Sequence, residues 1–278
     1  MNRTIRGVIY AYSWQQKYDP SKATVVCLHG FTGTKQTFQL LQDPVYNFLF
    51  IDLLGHGDSS VFVHPWRYQL SEIVKDLNQL IQELEIKHWY VLGYSMGARV
   101  ALAWAIEQPN NLCGVILEAG TPGIIDEKER KQRKEADQKL ALKLWRRPLV
   151  DFVDFWQNFP LFSSQKNLPK QTQKKIRNER LSQNKFGLAM SLWFMGTGVQ
   201  KNYWLELATL KQPVLYVVGE QDQKFLAIGN RLCQQLSHST LVVIPDSGHC
   251  VHLEQPQAFV SKLSQWLAEK SIVSEDMR

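Results

Sequence analysis

The sequence predicts an α/β fold: a mostly parallel central sheet with helices on both faces. Three observations predict it. Short apolar runs rich in Val, Ile and Leu alternate with longer amphipathic runs along most of the chain. The short runs are apolar throughout, as strands covered on both faces should be. The alternation breaks once, between residues 121 and 205, where helical patterns follow one another without a convincing strand.

The elements follow in order. RGVIYAYSW (6–14) reads as an antiparallel edge strand. ATVVCLH (23–29), FLFIDLL (48–54), WYVLGYS (89–95), GVILEAG (114–120), PVLYVVGE (213–220) and TLVVIPD (240–246) read as buried strands. SEIVKDLNQLIQELEI (71–86) sets Ile and Leu at helical spacing behind Ser71 as N-cap. ARVALAWAIEQ (98–108) is a helix that stops at Pro109, and QAFVSKLSQWLAEK (257–270) is one that follows Pro256. Residues 121–205 are expected to form a helical insertion on top of the sheet. It divides the chain into core 1–120, insertion 121–205 and core 206–278. There is no internal repeat and no low-complexity linker.

With 278 residues, 44% hydrophobic and 21% charged, the chain can bury a sizeable core. MNRTIRGVIYAYSWQQ lacks the apolar stretch of a signal peptide, and no apolar run reaches the roughly 18 residues of a membrane span. Cys27, Cys113, Cys233 and Cys250 form no CxxC pair, which leaves zinc and redox motifs unsupported and suggests free thiols in a reducing cytoplasm. The net charge of +6 is uneven: residues 121–205 hold 17 Lys and Arg against 8 Asp and Glu, and the rest 15 against 18. A basic insertion on a slightly acidic body suits an anionic partner or simply a solvated helical face. Trp145, Phe152, Phe155 and Trp156 are spaced as a helix core and not as stacking platforms, so nucleic acid is not the expected partner.

Gly93-Tyr94-Ser95-Met96-Gly97 matches G-x-S-x-G, with a strand before it and a helix after it. The glycines suit a turn too tight for side chains beside the serine, and the helix start aims N–H groups at a reacting centre. Asp222, in GEQDQKF, and His249, in DSGHCVHLEQP, each follow a strand. The chain order Ser, Asp, His is that of α/β-hydrolases. Histidine titrates near neutrality and can take and return the serine proton, while the acid holds one tautomer. Glu118 is the rival acid and His252 the rival base. In LHGFTGT (28–34) the Phe31 N–H, together with that of Met96, forms the expected oxyanion hole. His29 and His56 read as structural. Neither HGFTG nor GHGDS ends in the GK[ST] of a phosphate cradle.

Together HGFTGT, IDLLGHGDSS, GYSMGARVALAWA, GEQDQKF and GHCVHLEQPQAF resemble the 2-succinyl-6-hydroxy-2,4-cyclohexadiene-1-carboxylate synthases, α/β-hydrolases of the menaquinone pathway. The resemblance covers nearly the whole chain and implies an α/β-hydrolase fold with a helical lid. The implied reaction is elimination of pyruvate from 2-succinyl-5-enolpyruvyl-6-hydroxy-3-cyclohexene-1-carboxylate, in menaquinone or phylloquinone synthesis. It further implies Arg99, Arg133 and Arg180 as carboxylate binders, with Tyr94 and Trp156 as pocket walls. The substrate would be a tricarboxylate, for which the planar arginine fork is suited. Ser95 then acts as base or nucleophile, and no metal or organic cofactor is expected. A cytoplasmic monomer or homodimer without nucleic-acid or membrane partners completes the expectation. Two alternatives share the motifs: a carboxylesterase or carbon–carbon bond hydrolase, and a hydrolase-fold protein that binds a ligand without turnover.

Overall fold

A computed structural model describes residues 1–107 and 109–275. The described residues form eight strands: β1 (Asn2–Ile5), β2 (Val8–Trp14), β3 (Thr24–Leu28), β4 (Asn47–Ile51), β5 (Trp89–Tyr94), β6 (Leu112–Glu118), β7 (Val214–Gly219) and β8 (Ser239–Ile244). They form one sheet in the order β1-β2-β4-β3-β5-β6-β7-β8. All neighbours from β4 to β8 pair in parallel. The expected edge strand is in fact a hairpin. β2 pairs antiparallel with β4, and β1 forms the sheet's edge beyond it. Arg6 and Gly7 make the turn with φ of 46° and 82°, the conformation that matches strand twist in a two-residue hairpin loop.

The helices are α1 (Leu70–Glu83), α2 (Met96–Ile106), α3 (Glu127–Arg146), α4 (Leu149–Trp156), α5 (Lys170–Leu181), α6 (Lys185–Met195), α7 (Gln223–Gln235), α8 (Val251–Glu254) and α9 (Pro256–Glu275). Among the described residues, no helix is long and apolar enough to cross a membrane. Ser71 is not the N-cap of α1. That place belongs to Gln69, which makes no side-chain cap, and Ser71 lies in the first turn. The buried stripe Ile73, Val74, Leu77, Leu80 and Ile81 fixes α1 by packing, which outweighs a missing cap.

Successive residues of each central strand enter opposite cores. Val26, Leu28, Val91 and Leu117 face the side of α1 and α2. Val25, Cys27, Leu92, Ile116 and Val217 face the side where α9 supplies Phe259, Leu263 and Trp266. This is why the strands read as continuous apolar runs. β8 departs from expectation, because it is the free edge and only partly covered, with Val243 40% exposed.

Between β6 and β7 the described residues form helices only. Asp126 caps α3 by accepting from the Glu129 N–H, and Asn184 caps α6 from Phe186 and Gly187. Prolines 148 and 169 precede α4 and α5. Ala141, Leu144, Phe152, Val153, Leu188 and Leu192 form a small core of their own, against which Phe31 of the loop after β3 packs. The aromatics are split, contrary to the core spacing expected for all four. Phe152 is buried, but Trp145 and Phe155 are 54% and 46% exposed.

The strand order reverses direction at β3, whose neighbours are β4 and β5. Ligands of open α/β sheets sit at the carboxyl ends of strands at such a switch point. Ser95 follows β5, and His29–Phe31 follow β3.

Candidate active site

Ser95 stands between the end of β5 and the start of α2 with φ 50° and ψ −102°. A non-glycine residue there stores on the order of 1–3 kcal/mol of backbone strain. Two features hold it. The Ser95 N–H donates to the Glu118 carbonyl at 2.8 Å. The turn is also pressed onto its neighbours: a Cβ at Gly97 would lie 2.1 Å from the Leu28 carbonyl oxygen, and one at Gly93 would lie 2.3 Å from that of Gly97. The motif glycines are there because backbone occupies the space a side chain would need.

His249 lies in the loop between β8 and α8 and is 2% exposed. Its Nε2 is 3.0 Å from Ser95 Oγ, and its Nδ1 is 2.6 Å from Asp222 Oδ2. With the carboxylate accepting at Nδ1–H, Nε2 is left to accept the serine proton. The second oxygen of Asp222 N-caps α7, accepting from Phe225 N at 3.3 Å. One carboxylate thus starts a helix and orients the imidazole. The rivals Glu118 and His252 pair with each other instead, with His252 Nδ1 at 2.9 and 2.8 Å from the two carboxylate oxygens. Burial opposes charge on His252, but Cys250 and Glu118 outweigh it and raise its pKa well above the ordinary value. His29 Nδ1 donates to the Gly30 carbonyl, and its Nε2 accepts from Leu53 N at 3.0 Å. It braces the loop after β3, as expected of a structural histidine.

Ser95 and His249 open into a cavity of about 230 Å³. Phe31, Met96, Tyr94 and Trp156 line it. Among the described residues, neither the Phe31 nor the Met96 N–H meets a protein acceptor. Both are free to serve a substrate oxygen. The Trp156 Nε1 is likewise buried without a partner. Among the described residues of the lining, the charged side chains are Arg99, Arg133 and Lys224, and no carboxylate is among them.

Arg99 is 8% exposed and donates through Nη1 to the Met195 carbonyl at 2.8 Å and to Gln200 Oε1 at 3.1 Å. Burial, with Arg133 nearby, lowers its pKa to about 10, so it stays charged at neutral pH. Arg133 pairs with Asp137 at 2.8 Å. Arg180 is placed differently. It is 7% exposed, donates to Gln165, and its guanidinium stacks 5.0 Å from the Phe162 ring centre. Arg180 does not line the cavity that holds Ser95; with Phe162 it borders one of about 50 Å³ beside Tyr94 and Cys250 and another of about 320 Å³ beside Lys166 and Arg177. Lys224, two positions beyond Asp222 in the first turn of α7, was missed by sequence reasoning. Its place directly after the orienting acid, in a helix start that must face the site, was the available signal.

Among the described residues, one group could offer a metal three ligands: Glu118, Cys250 and His252. Those donors already face one another, with His252 Nε2 3.6 Å from Cys250 Sγ.

An elbow serine, a buried imidazole and an N-capping aspartate in line, at the switch point of a mostly parallel sheet, define an α/β-hydrolase. The family model for the alpha/beta hydrolase fold matches residues 23–256. A Bacillus subtilis (strain 168) protein provisionally named 2-succinyl-6-hydroxy-2,4-cyclohexadiene-1-carboxylate synthase is 40% identical over 94% of this chain and 95% of its own. The Enterobacter sp. (strain 638) synthase of that name is 34% identical over 89% and 93%. The solved structure of MenH from S. aureus superposes with a TM-score of 0.87 at 32% identity, covering 94% of this chain and 98% of that one. A Thermogutta terrifontis esterase, at 23% identity and a TM-score of 0.81, shares the fold. Within the α/β-hydrolases, the chain belongs to the 2-succinyl-6-hydroxy-2,4-cyclohexadiene-1-carboxylate synthase family.

Proposed function

We propose that this protein eliminates pyruvate from 2-succinyl-5-enolpyruvyl-6-hydroxy-3-cyclohexene-1-carboxylate, giving 2-succinyl-6-hydroxy-2,4-cyclohexadiene-1-carboxylate for menaquinone or phylloquinone synthesis. The observation that carries the reading is a serine hydrogen-bonded to a histidine in a cavity lined, among the described residues, by three cations and no carboxylate. A dedicated esterase has no need of such a lining, whereas a tricarboxylate does.

In this reading Ser95 Oγ, its proton held by His249, removes the ring proton next to the succinyl ketone. The ketone oxygen gains negative charge and is met by the Phe31 and Met96 N–H groups. Electrons shift through the ring double bond, and the carbon–oxygen bond to the enolpyruvyl group breaks. The departing enolate takes up a proton and becomes pyruvate, so the triad returns to its starting state. Asp222 keeps His249 in the accepting tautomer and offsets its charge when protonated. Arg99, Arg133 and Lys224 hold carboxylates. Arg180 joins them when Phe162 turns aside. Tyr94 and Trp156 form the walls. Residues 121–205 serve as a lid over cores 1–120 and 206–278, excluding water while the enolate forms.

The test is Ser95→Ala with purified enolpyruvyl substrate. Pyruvate release should fall by about three orders of magnitude or more. Near-wild-type release would remove the serine from the mechanism. Turnover of p-nitrophenyl acetate at the rate of a dedicated esterase would favour hydrolysis instead.

A further inference from the structure

The loop that carries His249 is held by a carboxylate outside the triad. Gly248 N donates to Glu254 Oε2 at 2.6 Å, and Cys250 N donates to Glu254 Oε1 at 3.2 Å. These two N–H groups flank His249 on either side. Glu254 is the last residue of α8, and α8 is anchored in turn: His252 donates from its backbone N to Glu118 Oε1 at 3.1 Å. The carbonyl of that same Glu118 accepts from Ser95 N at 2.8 Å. A continuous set of hydrogen bonds therefore runs from the serine elbow through Glu118 and α8 to both sides of the histidine.

We infer that Glu254 is a positioning residue for the reaction: its two carboxylate oxygens clamp the backbone on both sides of His249 and keep the imidazole in line between Asp222 and Ser95. The inference rests on the reading of Ser95 and His249 given above. The physical reason is the irregular backbone around the histidine. Asp222 and Ser95 meet the ring, but neither fixes the chain behind it. A ring free to slide along the Asp222–Ser95 line lengthens one hydrogen bond as it shortens the other. Misplacement of about 1 Å at a reacting centre costs up to about 100-fold in rate. Glutamine cannot replace the clamp, because its amide offers one acceptor and one NH₂ group, and the latter would face an N–H.

The experiment uses the full-length chain as Glu254→Gln, Glu254→Asp and Glu254→Ala, with Ser95→Ala beside them. Each is assayed for pyruvate release from the enolpyruvyl substrate at a temperature well below its thermal midpoint. Rates are normalised to folded protein. The clamp predicts that Glu254→Gln lowers kcat by about 10- to 100-fold with KM within about twofold of wild type. Glu254→Asp, which retains two acceptors, recovers part of the loss. The low-field proton resonance of His249 Nδ1–H should move or broaden in Glu254→Gln. Wild-type kcat and an unchanged resonance in Glu254→Gln, with Ser95→Ala inactive, would overturn the clamp alone. So would a deficit in all three variants that vanishes on normalisation, since that is plain loss of stability. An active Ser95→Ala overturns the base assignment first, and the clamp with it.

Discussion

Replacing Arg99 by methionine removes a buried guanidinium that no carboxylate partners, while keeping much of the side-chain volume. Burial, with Arg133 nearby, lowers its pKa from 12.5 to about 10, which corresponds to about 3 kcal/mol at about 1.4 kcal/mol per unit. A carboxylate docked on the guanidinium relieves that penalty, which sets a ceiling of roughly 300-fold on its contribution to binding. The floor is a single charge-assisted hydrogen bond, about 1.5 kcal/mol or roughly tenfold. KM for the enolpyruvyl substrate should therefore rise between about 10- and 300-fold in Arg99→Met. Arg99→Lys should fall between, because it restores the charge without the fork. Stability should change little. The Met195 carbonyl and Gln200 Oε1 lose a donor, at about 1–3 kcal/mol each, and removal of the unpaired charge offsets this. Initial rates of pyruvate release over a range of substrate concentrations decide the matter, with thermal midpoints as the folding control. A folded Arg99→Met enzyme with KM within twofold of wild type would refute the reasoning.

Three further outcomes follow from the same geometry. Asp222→Asn keeps the α7 cap, since asparagine caps as well as aspartate, but it presents the wrong partner to His249 Nδ1. The thermal midpoint should hold while kcat falls by about four orders of magnitude, and a loss below tenfold would contradict the assigned tautomer. Gly97→Ala sets a methyl against the Leu28 carbonyl, where only backbone can yield. It should cost about 3 kcal/mol or more, or roughly 6–12 °C in Tm by calorimetry, and an unchanged Tm would show that the elbow can relax. His29 and His56 have their pKa values lowered by burial to about 4 and about 3. The unfolded chain, near 6.5, then binds more protons than the folded one as pH falls. Their contribution is whole above pH 6.5 and lost towards pH 4 and below, about 2 kcal/mol each by pH 5. Urea midpoints at pH 7 and pH 5 measure the drop. His29→Gln, which keeps an acceptor for Leu53 N, should reduce it by about that amount.

The strand–helix alternation, the elbow motif and the candidates Ser95, Asp222 and His249 were legible because their signals are local. Gly93 and Gly97 mark the turn, and each triad member follows a strand whose apolar run is unmistakable. Ser71 misled because a good cap residue two positions late is indistinguishable in sequence from a true one, and the buried face of α1 decided the start. The exposure of Trp145 was equally invisible, since helical spacing does not say which stripe meets a neighbour.

The sequence by itself determined the class of the protein, the candidates Ser95, Asp222 and His249 in their chain order and a cationic stretch over residues 121–205. Short-range constraints carry all of these: strand burial, turn sterics, helix caps and charge composition. Only the tertiary structure decided which cations share the serine's cavity: Arg99, Arg133 and Lys224 do, while Arg180 stacks on Phe162 outside it. It alone turned Glu118 from rival acid into the anchor of α8. Those outcomes depend on side chains far apart in the chain competing for the same few ångströms, and no spacing along the sequence encodes who wins that competition.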